Sequence, residues 1–340
     1  MNANELYFRK TVSSIGWAML IFLALLNVFG ITISLVPAIL SLFPMSTVAV
    51  NIVYQLLYAA GYLLSFMLPV AFLKLFIKKA GYPYAPMYAS LKVSGYLPLI
   101  LFAGVTLIFA FASINASLVS IFDYSAFSSD VLWGESSHKA QPYEFVLQFI
   151  VMCVVPGFCE EFLFRGAILT NCLPFGRSNA ILISSLLFGL MHQNAEQILY
   201  AFAAGIVLGL VYEKTGSIWN CTILHVFNNF MSLTGGLIVE KLGQEWLGYT
   251  CYVMFETGLF VLGFLSIGIL IVRFFSQKQD LREGVFGKKL PAADHYATHP
   301  VSAGRIGKLF CAPSMVLFLV FCALQILLLI GMAVLYGIFA

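Results

Sequence analysis

Val154-Val-Pro-Gly-Phe-Cys-Glu-Glu-Phe-Leu-Phe-Arg165 sets two adjacent carboxylates, Glu160 and Glu161, in a stretch otherwise apolar enough for a lipid bilayer. An ionised side chain near a bilayer centre costs roughly 2.5–3.5 kcal/mol on insertion scales, so such a pair persists only where it faces the interior of a bundle. A helical register explains part of the arrangement. Glu161 and Arg165 are i,i+4 neighbours on one face and can pair. Glu160 lies about 100° around the helix and is left without that cation. A carboxylate that its nearest cation does not claim suits general acid–base work. A structural ion network between helices would also account for the pair, and the rest of the chain has to decide between the two.

The chain around this stretch is membrane-like throughout. Of its 340 residues 61% are hydrophobic and 10% charged, the mean hydropathy is +0.95, and soluble chains carry about 25% charged residues. The apolar residues fall in blocks at 12–36, 52–76, 97–121, 145–170, 179–194, 197–213, 217–238, 250–275 and 313–338. Roughly 20 residues are needed to cross a bilayer, so 179–194 and 197–213 are short and call for shelter from neighbouring helices. The fold class that follows is all-α: a polytopic integral membrane bundle of about nine transmembrane helices. Arg9-Lys10 before the first block is reminiscent of a signal-peptide start. The block outruns a signal-peptide core and lacks a small-x-small cleavage site, so it reads as a retained span.

Nine spans with the N-terminus inside leave only Lys139 and Lys241, among 18 Lys and Arg, on the outer side, with Arg165 itself inside the membrane. The positive-inside rule therefore orients the chain N-terminus in and C-terminus out. The net charge of +3 is a topogenic signal and gives no support for nucleic-acid binding. Seven cysteines without a C-x-x-C offer neither a disulfide framework nor a thiolate metal site. Cys153, Cys159, Cys172, Cys221 and Cys322 read as small apolar packing residues.

Three regions follow: 1–144 with three N-terminal transmembrane helices, 145–240 with a core of four, and 241–340 with the C-terminal helices. The outer loop at 122–144 is acidic, with Asp123, Asp130, Glu135 and Glu144. The inner loop at 276–312 is basic, a composition suited to anionic membrane lipid. Asp294, His295 and His299 in that loop read as a solvated polar segment rather than a metal site. Ala201, Gly205 and Gly209 form a small-x-x-x-small stripe, which lets helix backbones approach closely in lipid.

Further polar residues accompany the acidic pair. His192 ends Ser184-Ser-Leu-Leu-Phe-Gly-Leu-Met-His192, and His225 and Asn229 share a helix face in Trp219-Asn-Cys-Thr-Ile-Leu-His-Val-Phe-Asn-Asn229. Measured at about 1.5 Å per residue from the turn near Pro174–Arg177, Glu160 and His192 both lie roughly 20 Å from the cytoplasmic side. From Ser217 the same rise puts His225 about 12 Å deep and Asn229 about 18 Å. A lone intramembrane histidine is usually an interhelical hydrogen-bonder. Glu, His, His and Asn from three helices at one depth supply what peptide-bond hydrolysis requires: a base for water, an acid for the leaving amine and donors for an oxyanion.

Glu160-Glu161-x-x-x-Arg165, Phe188-x-x-x-His192 and His225-x-x-x-Asn229, in this order on consecutive apolar segments, resemble the three motifs of the CAAX prenyl protease and bacteriocin-processing (Abi) family of intramembrane endopeptidases. The Gly216-Ser-Ile-Trp219 lead-in is similar too, and the likeness covers about 145–240. The resemblance implies that Glu160 with His192 activates water, that His225 with Asn229 steadies the oxyanion, and that Glu161 and Arg165 hold the site in place. It implies a membrane-associated or secreted peptide or a membrane protein as substrate, and a multi-pass protein of a bacterial plasma membrane. The family is also described as metalloproteases. His192, His225 and Glu160 would make a zinc site with an open position. The absence of an H-E-x-x-H spacing and the Asn at the fourth place favour a metal-free glutamate mechanism with no cofactor. Two other readings remain: a non-catalytic bacteriocin-immunity or scaffold protein of the same fold, and a transporter with a buried proton relay, which wants inverted repeats that the sequence does not show.

Overall fold

The computed structural model describes residues 3–81, 85, 94–120, 142–241, 245–276 and 312–339. The expectations placed on the loops 122–144 and 276–312, Asp294, His295 and His299 included, fall almost entirely outside these residues. The described chain is helical: α1 (Ala3–Leu40), α2 (Thr47–Lys79), α3 (Leu97–Ser120), a composite α4, α5 (Arg177–Leu190), α6 (Ala195–Thr215), α7 (Ile218–Lys241), α8 (Glu245–Ser276) and α9 (Pro313–Phe339). Composite α4 strings together Pro142–Gln148, Phe149–Val154, Val155–Glu161, Phe162–Leu169 and Thr170–Cys172 and closes in the turn Leu173–Phe175. These elements follow the apolar blocks of the sequence within about five residues, except that α1 starts nine residues before its block, at Ala3.

Among the described residues, six helices are long and apolar enough to cross a membrane: Glu5–Leu40, Thr47–Lys79, Leu97–Ser117, Tyr143–Phe175, Gln197–Thr215 and Trp246–Arg273. Arg177–Leu190 is apolar but shorter, while α9 is an apolar helix of 27 residues. α7 carries the polar residues Asn220, Thr222, His225, Asn228 and Asn229. Asn220, Thr222, His225 and Asn228 are buried. Such a helix is tolerated in a bilayer only where protein surrounds it.

Composite α4 is the hub. It packs against α2, α5 and α7, while α1 lies along α2, α9 along α1, and α3 against α6 and α8. Leu163, Phe164, Arg165, Ala167, Ile168 and Leu169 are 0% exposed, so this part of α4 meets no lipid at all. Its helical register is uneven for a reason. Pro156 has no N–H, and Phe149–Val154 and Phe162–Leu169 are π-helical, so the segment carrying Glu160 and Glu161 is bracketed by two wider turns. Extra residues per turn rotate side chains off the regular stripe, a device that recurs at functional sites.

The short α5 and the longer α6 form a tight antiparallel hairpin. The small-residue stripe makes it possible. A Cβ on Gly205 would come within 2.8 Å of Ser185 Cα, and one on Gly209 would lie 3.1 Å from Ile181 Cγ2. At the open end Arg177 Nη1 pairs with Glu213 Oε1 at 2.9 Å. The predicted span 179–194 needs correction at its end. α5 stops at Leu190, and Met191–Asn194 make a turn in which Gln193 has φ 55° and Asn194 caps α6 through the Gln197 N–H. His192 therefore sits on the hairpin tip and not inside a helix. At the other end of α6, Gly216 takes φ 61°, a left-handed conformation that glycine adopts without a Cβ penalty, and α7 starts two residues later.

The hairpin supplies a direct test of this packing. Gly205→Val forces backbone apart where α5 and α6 touch and should destabilise the protein by about 1–3 kcal/mol. Thermal unfolding in detergent should show a lower midpoint for Gly205→Val than for the exposed control Leu210→Val.

Candidate active site

The two glutamates separate as their helical offset requires. Glu161 and Arg165 form an ion pair at 2.8 Å, both side chains 0% exposed. Arg165 Nη2 also donates to the Gly205 carbonyl of α6 at 3.0 Å, and the guanidinium lies over the Phe188 ring of α5 at 4.5 Å. One arginine thus joins α4, α5 and α6. The same Glu161 Oε1 accepts a second bond at 2.9 Å from His225 Nδ1 of α7. A carboxylate only accepts, so the His225 hydrogen is at Nδ1 and the tautomer is set by that bond.

Glu160 faces the other way. Its Oε2 lies 3.8 Å from His225 Nε2. Its Oε1 accepts a hydrogen bond from the Tyr62 hydroxyl of α2. The leftover carboxylate of the sequence is therefore held between α2 and α7, 5% exposed, with no Lys or Arg partner among the described residues.

His192 completes the near wall. Its Nδ1 lies 2.9 Å from the Phe188 carbonyl, which fixes the hydrogen there and leaves the Nε2 lone pair free. The Phe188 ring meets the edges of both histidines, at centroid distances of 5.4 Å to His192 and 5.9 Å to His225. Glu160 and His225 both lie within electrostatic reach of His192.

Asn229 is placed less simply. Its Nδ2 donates to the Met152 carbonyl at 3.2 Å, and its Oδ1 accepts from Asn228 Nδ2 at 3.3 Å. The Met152 carbonyl is the one that Pro156, four residues on and lacking an N–H, leaves without its α-helical partner. Asn229 therefore mends α4 with one of its two amide hydrogens and keeps the second.

Among the described residues, no three His, Cys, Asp or Glu side chains come together as a group able to hold a metal ion. The free cysteines Cys153, Cys159, Cys172, Cys221 and Cys322 are buried.

One contributor escaped the sequence reading: Tyr62 reaches Glu160 from a distant helix. Phe188, read there only as the start of the second motif, is the shared bearing for Arg165, His192 and His225. Tyr54, Tyr58 and Tyr62 recur every fourth residue in an apolar block, the one sequence signal that α2 presents polar groups inward.

Residues 142–231 match the sequence profile of the family described as type II CAAX prenyl endopeptidase Rce1-like. All six motif residues, Glu160, Glu161, Arg165, His192, His225 and Asn229, lie within that segment. No curated protein and no solved structure matches the chain. The matched family is one of proteases, and it points to CAAX-protease-like intramembrane peptidase activity on a multi-pass membrane scaffold. It does not favour a silent scaffold.

The ion pair makes a sharp stability prediction. Arg165→Ala strands the Glu161 carboxylate in a site without solvent and should cost about 3–5 kcal/mol. Arg165→Ala protein should melt far below wild type in detergent. The exposed Arg273→Ala serves as control, with a midpoint close to wild type.

Proposed function

We propose that this chain is an intramembrane endopeptidase in which Glu160 activates the water that attacks a substrate peptide bond. The observation that carries the reading is the division of labour between adjacent carboxylates. Glu161 is committed to Arg165 and His225, while Glu160 pairs with no Lys or Arg among the described residues and has His225 Nε2 3.8 Å from its Oε2. A purely structural ion network would need the first carboxylate and not the second.

The chemistry follows from the geometry. Glu160 Oε2 takes a proton from water, with the His192 Nε2 lone pair accepting the other water hydrogen and fixing its orientation. The oxygen bonds to the carbonyl carbon, and the carbonyl π electrons become the oxyanion. His225, charged by proton uptake at Nε2 while Glu161 holds Nδ1, donates to that oxyanion, as does the second amide hydrogen of Asn229. The tetrahedral species then collapses with cleavage of the C–N bond, and protonated Glu160 delivers its proton to the leaving amine. Arg165 and Phe188 hold the participants and touch no reacting atom. No metal enters this scheme.

The substrate class we propose is a peptide near the membrane surface, with a C-terminal CAAX peptide as the first probe because the matched segment is CAAX-protease-like. Purified protein should cleave an internally quenched CAAX peptide, prenylated or not, in mixed micelles. Glu160→Ala should abolish turnover in folded protein, and Asn229→Ala should lower kcat by roughly 10²–10³-fold. Exhaustive chelation should leave the wild-type rate unchanged. Zinc bound at one equivalent and tracking activity would overturn the metal-free scheme, and wild-type turnover by Glu160→Ala would overturn the base.

We also propose a topology of nine membrane-embedded segments with the N-terminus inside and the C-terminus outside. The 14 residues of α5 rise only about 21 Å. The α5–α6 hairpin begins and ends on one side, since Arg177 pairs with Glu213, so its depth leaves the orientation of every other helix unchanged. Residue 340 should label with an impermeant thiol reagent, after Ala340→Cys in a background freed of other reactive cysteines, from the outside of intact cells. Labelling only after the membrane is opened would refute the odd number of crossings.

A further inference from the structure

Tyr62 stands on α2, outside the segment that matches the peptidase family, and no motif includes it. Its hydroxyl donates to Glu160 Oε1 across the α2–α4 interface. The ring is held on both faces of its own helix row, by Tyr58 at 6.1 Å, nearly parallel, and by Phe66 at 4.8 Å. Phe66 in turn meets Phe22 of α1 at 4.8 Å, and Tyr58 meets Phe29 of α1 at 5.5 Å. A ring so bracketed has one direction in which to aim its hydroxyl, and Glu160 lies there.

The two oxygens of Glu160 are thereby made unequal. Oε1 is occupied by a phenol, whereas Oε2 faces His225 Nε2 at 3.8 Å. A carboxylate without a cation and without this donor could rotate about its terminal torsion, which is broad for glutamate. A hydrogen bond to a charged acceptor is about twice as strong as a neutral one, enough to suppress that rotation.

We propose that Tyr62 is a positioning residue for the peptidase reaction: it fixes the Glu160 carboxylate so that Oε2, and not Oε1, is presented to the attacking water. The inference rests on Glu160 being the base. It extends the working site beyond the matched segment, to a helix that the core of four does not contain, and it assigns α1 and α2 a role in turnover. Tyr62 touches no reacting atom and acts through Glu160 alone.

Tyr62→Phe keeps the stacked ring and removes only the donor. In the purified full chain, assayed on the quenched CAAX peptide, kcat should fall about tenfold with KM unchanged, the size expected for one lost bond to a charged group. The melting midpoint should stay within a few degrees of wild type. Tyr62→3-fluorotyrosine, which restores the hydroxyl, should bring kcat back to within about twofold. A wild-type kcat in Tyr62→Phe overturns the inference. So does a loss that follows the melting midpoint, or one that 3-fluorotyrosine fails to rescue, since packing would then be the cause. Glu160→Gln, run beside these, separates the two levels. If it is inactive while Tyr62→Phe is normal, only the Tyr62 assignment falls. If Glu160→Gln turns over normally, the base falls and Tyr62 with it.

Discussion

The buried pair of Glu161 and Arg165 is the constraint from which the site is built. Two opposite charges with no solvent around them are stable only when their remaining hydrogen-bonding capacity is met by protein. Arg165 meets part of it with the Gly205 carbonyl and the Phe188 ring, and Glu161 Oε1 accepts from both Arg165 and His225 Nδ1, while Arg165 Nε and Glu161 Oε2 are buried without a hydrogen-bond partner among the described residues. These partners stand on α6, α5 and α7, so satisfying one ion pair fixes three helices around α4. Helix association in lipid has no hydrophobic drive, so polar bonds of this kind and close contacts such as Gly205 on Ser185 have to supply it.

Once that pair is fixed, Glu160 has little freedom. It follows Cys159 on the same helix and precedes Glu161, so the turn of the helix sends it toward α2 and the far side of His225. The π-helical stretches before and after it, with Pro156 between, set how far round it points. The same irregularity draws in Asn229, whose amide answers the Met152 carbonyl. A defect in one helix and a polar residue on another therefore complete each other. The arrangement also explains why α7 carries more polar residues than a lipid-facing helix tolerates: four of them are buried against the hub.

Much of this was legible along the chain. The block lengths predicted α2 to α9 within about five residues, because an apolar run of spanning length has one stable local structure in lipid, while α1 runs nine residues further back than its block. The i,i+4 spacing predicted the Glu161–Arg165 pair, since two residues four apart on a helix meet whatever surrounds them. The stripe Ala201, Gly205, Gly209 predicted close packing, and α5 is what it packs against. The end of α5 was less legible: Leu190-Met-His192 continues an apolar pattern, and only the turn geometry at Gln193 and the cap at Asn194 stop the helix before His192.

The sequence by itself determined the helical elements, their apolar character and the local pairs, because these depend on residues within one or two turns of each other. It also put Glu160, His192, His225 and Asn229 at compatible depths. The tertiary structure alone decided which glutamate His225 would bind, that Asn229 would serve Met152, that Phe188 would bear three side chains, and that Tyr62 would meet Glu160. Each of these joins residues on different helices, and in a bundle the rotation of one helix against another is set by the sum of all its contacts. No spacing along a single chain encodes that angle. Tyr62 and Glu160 are 98 residues apart, and their meeting is a property of the packed bundle.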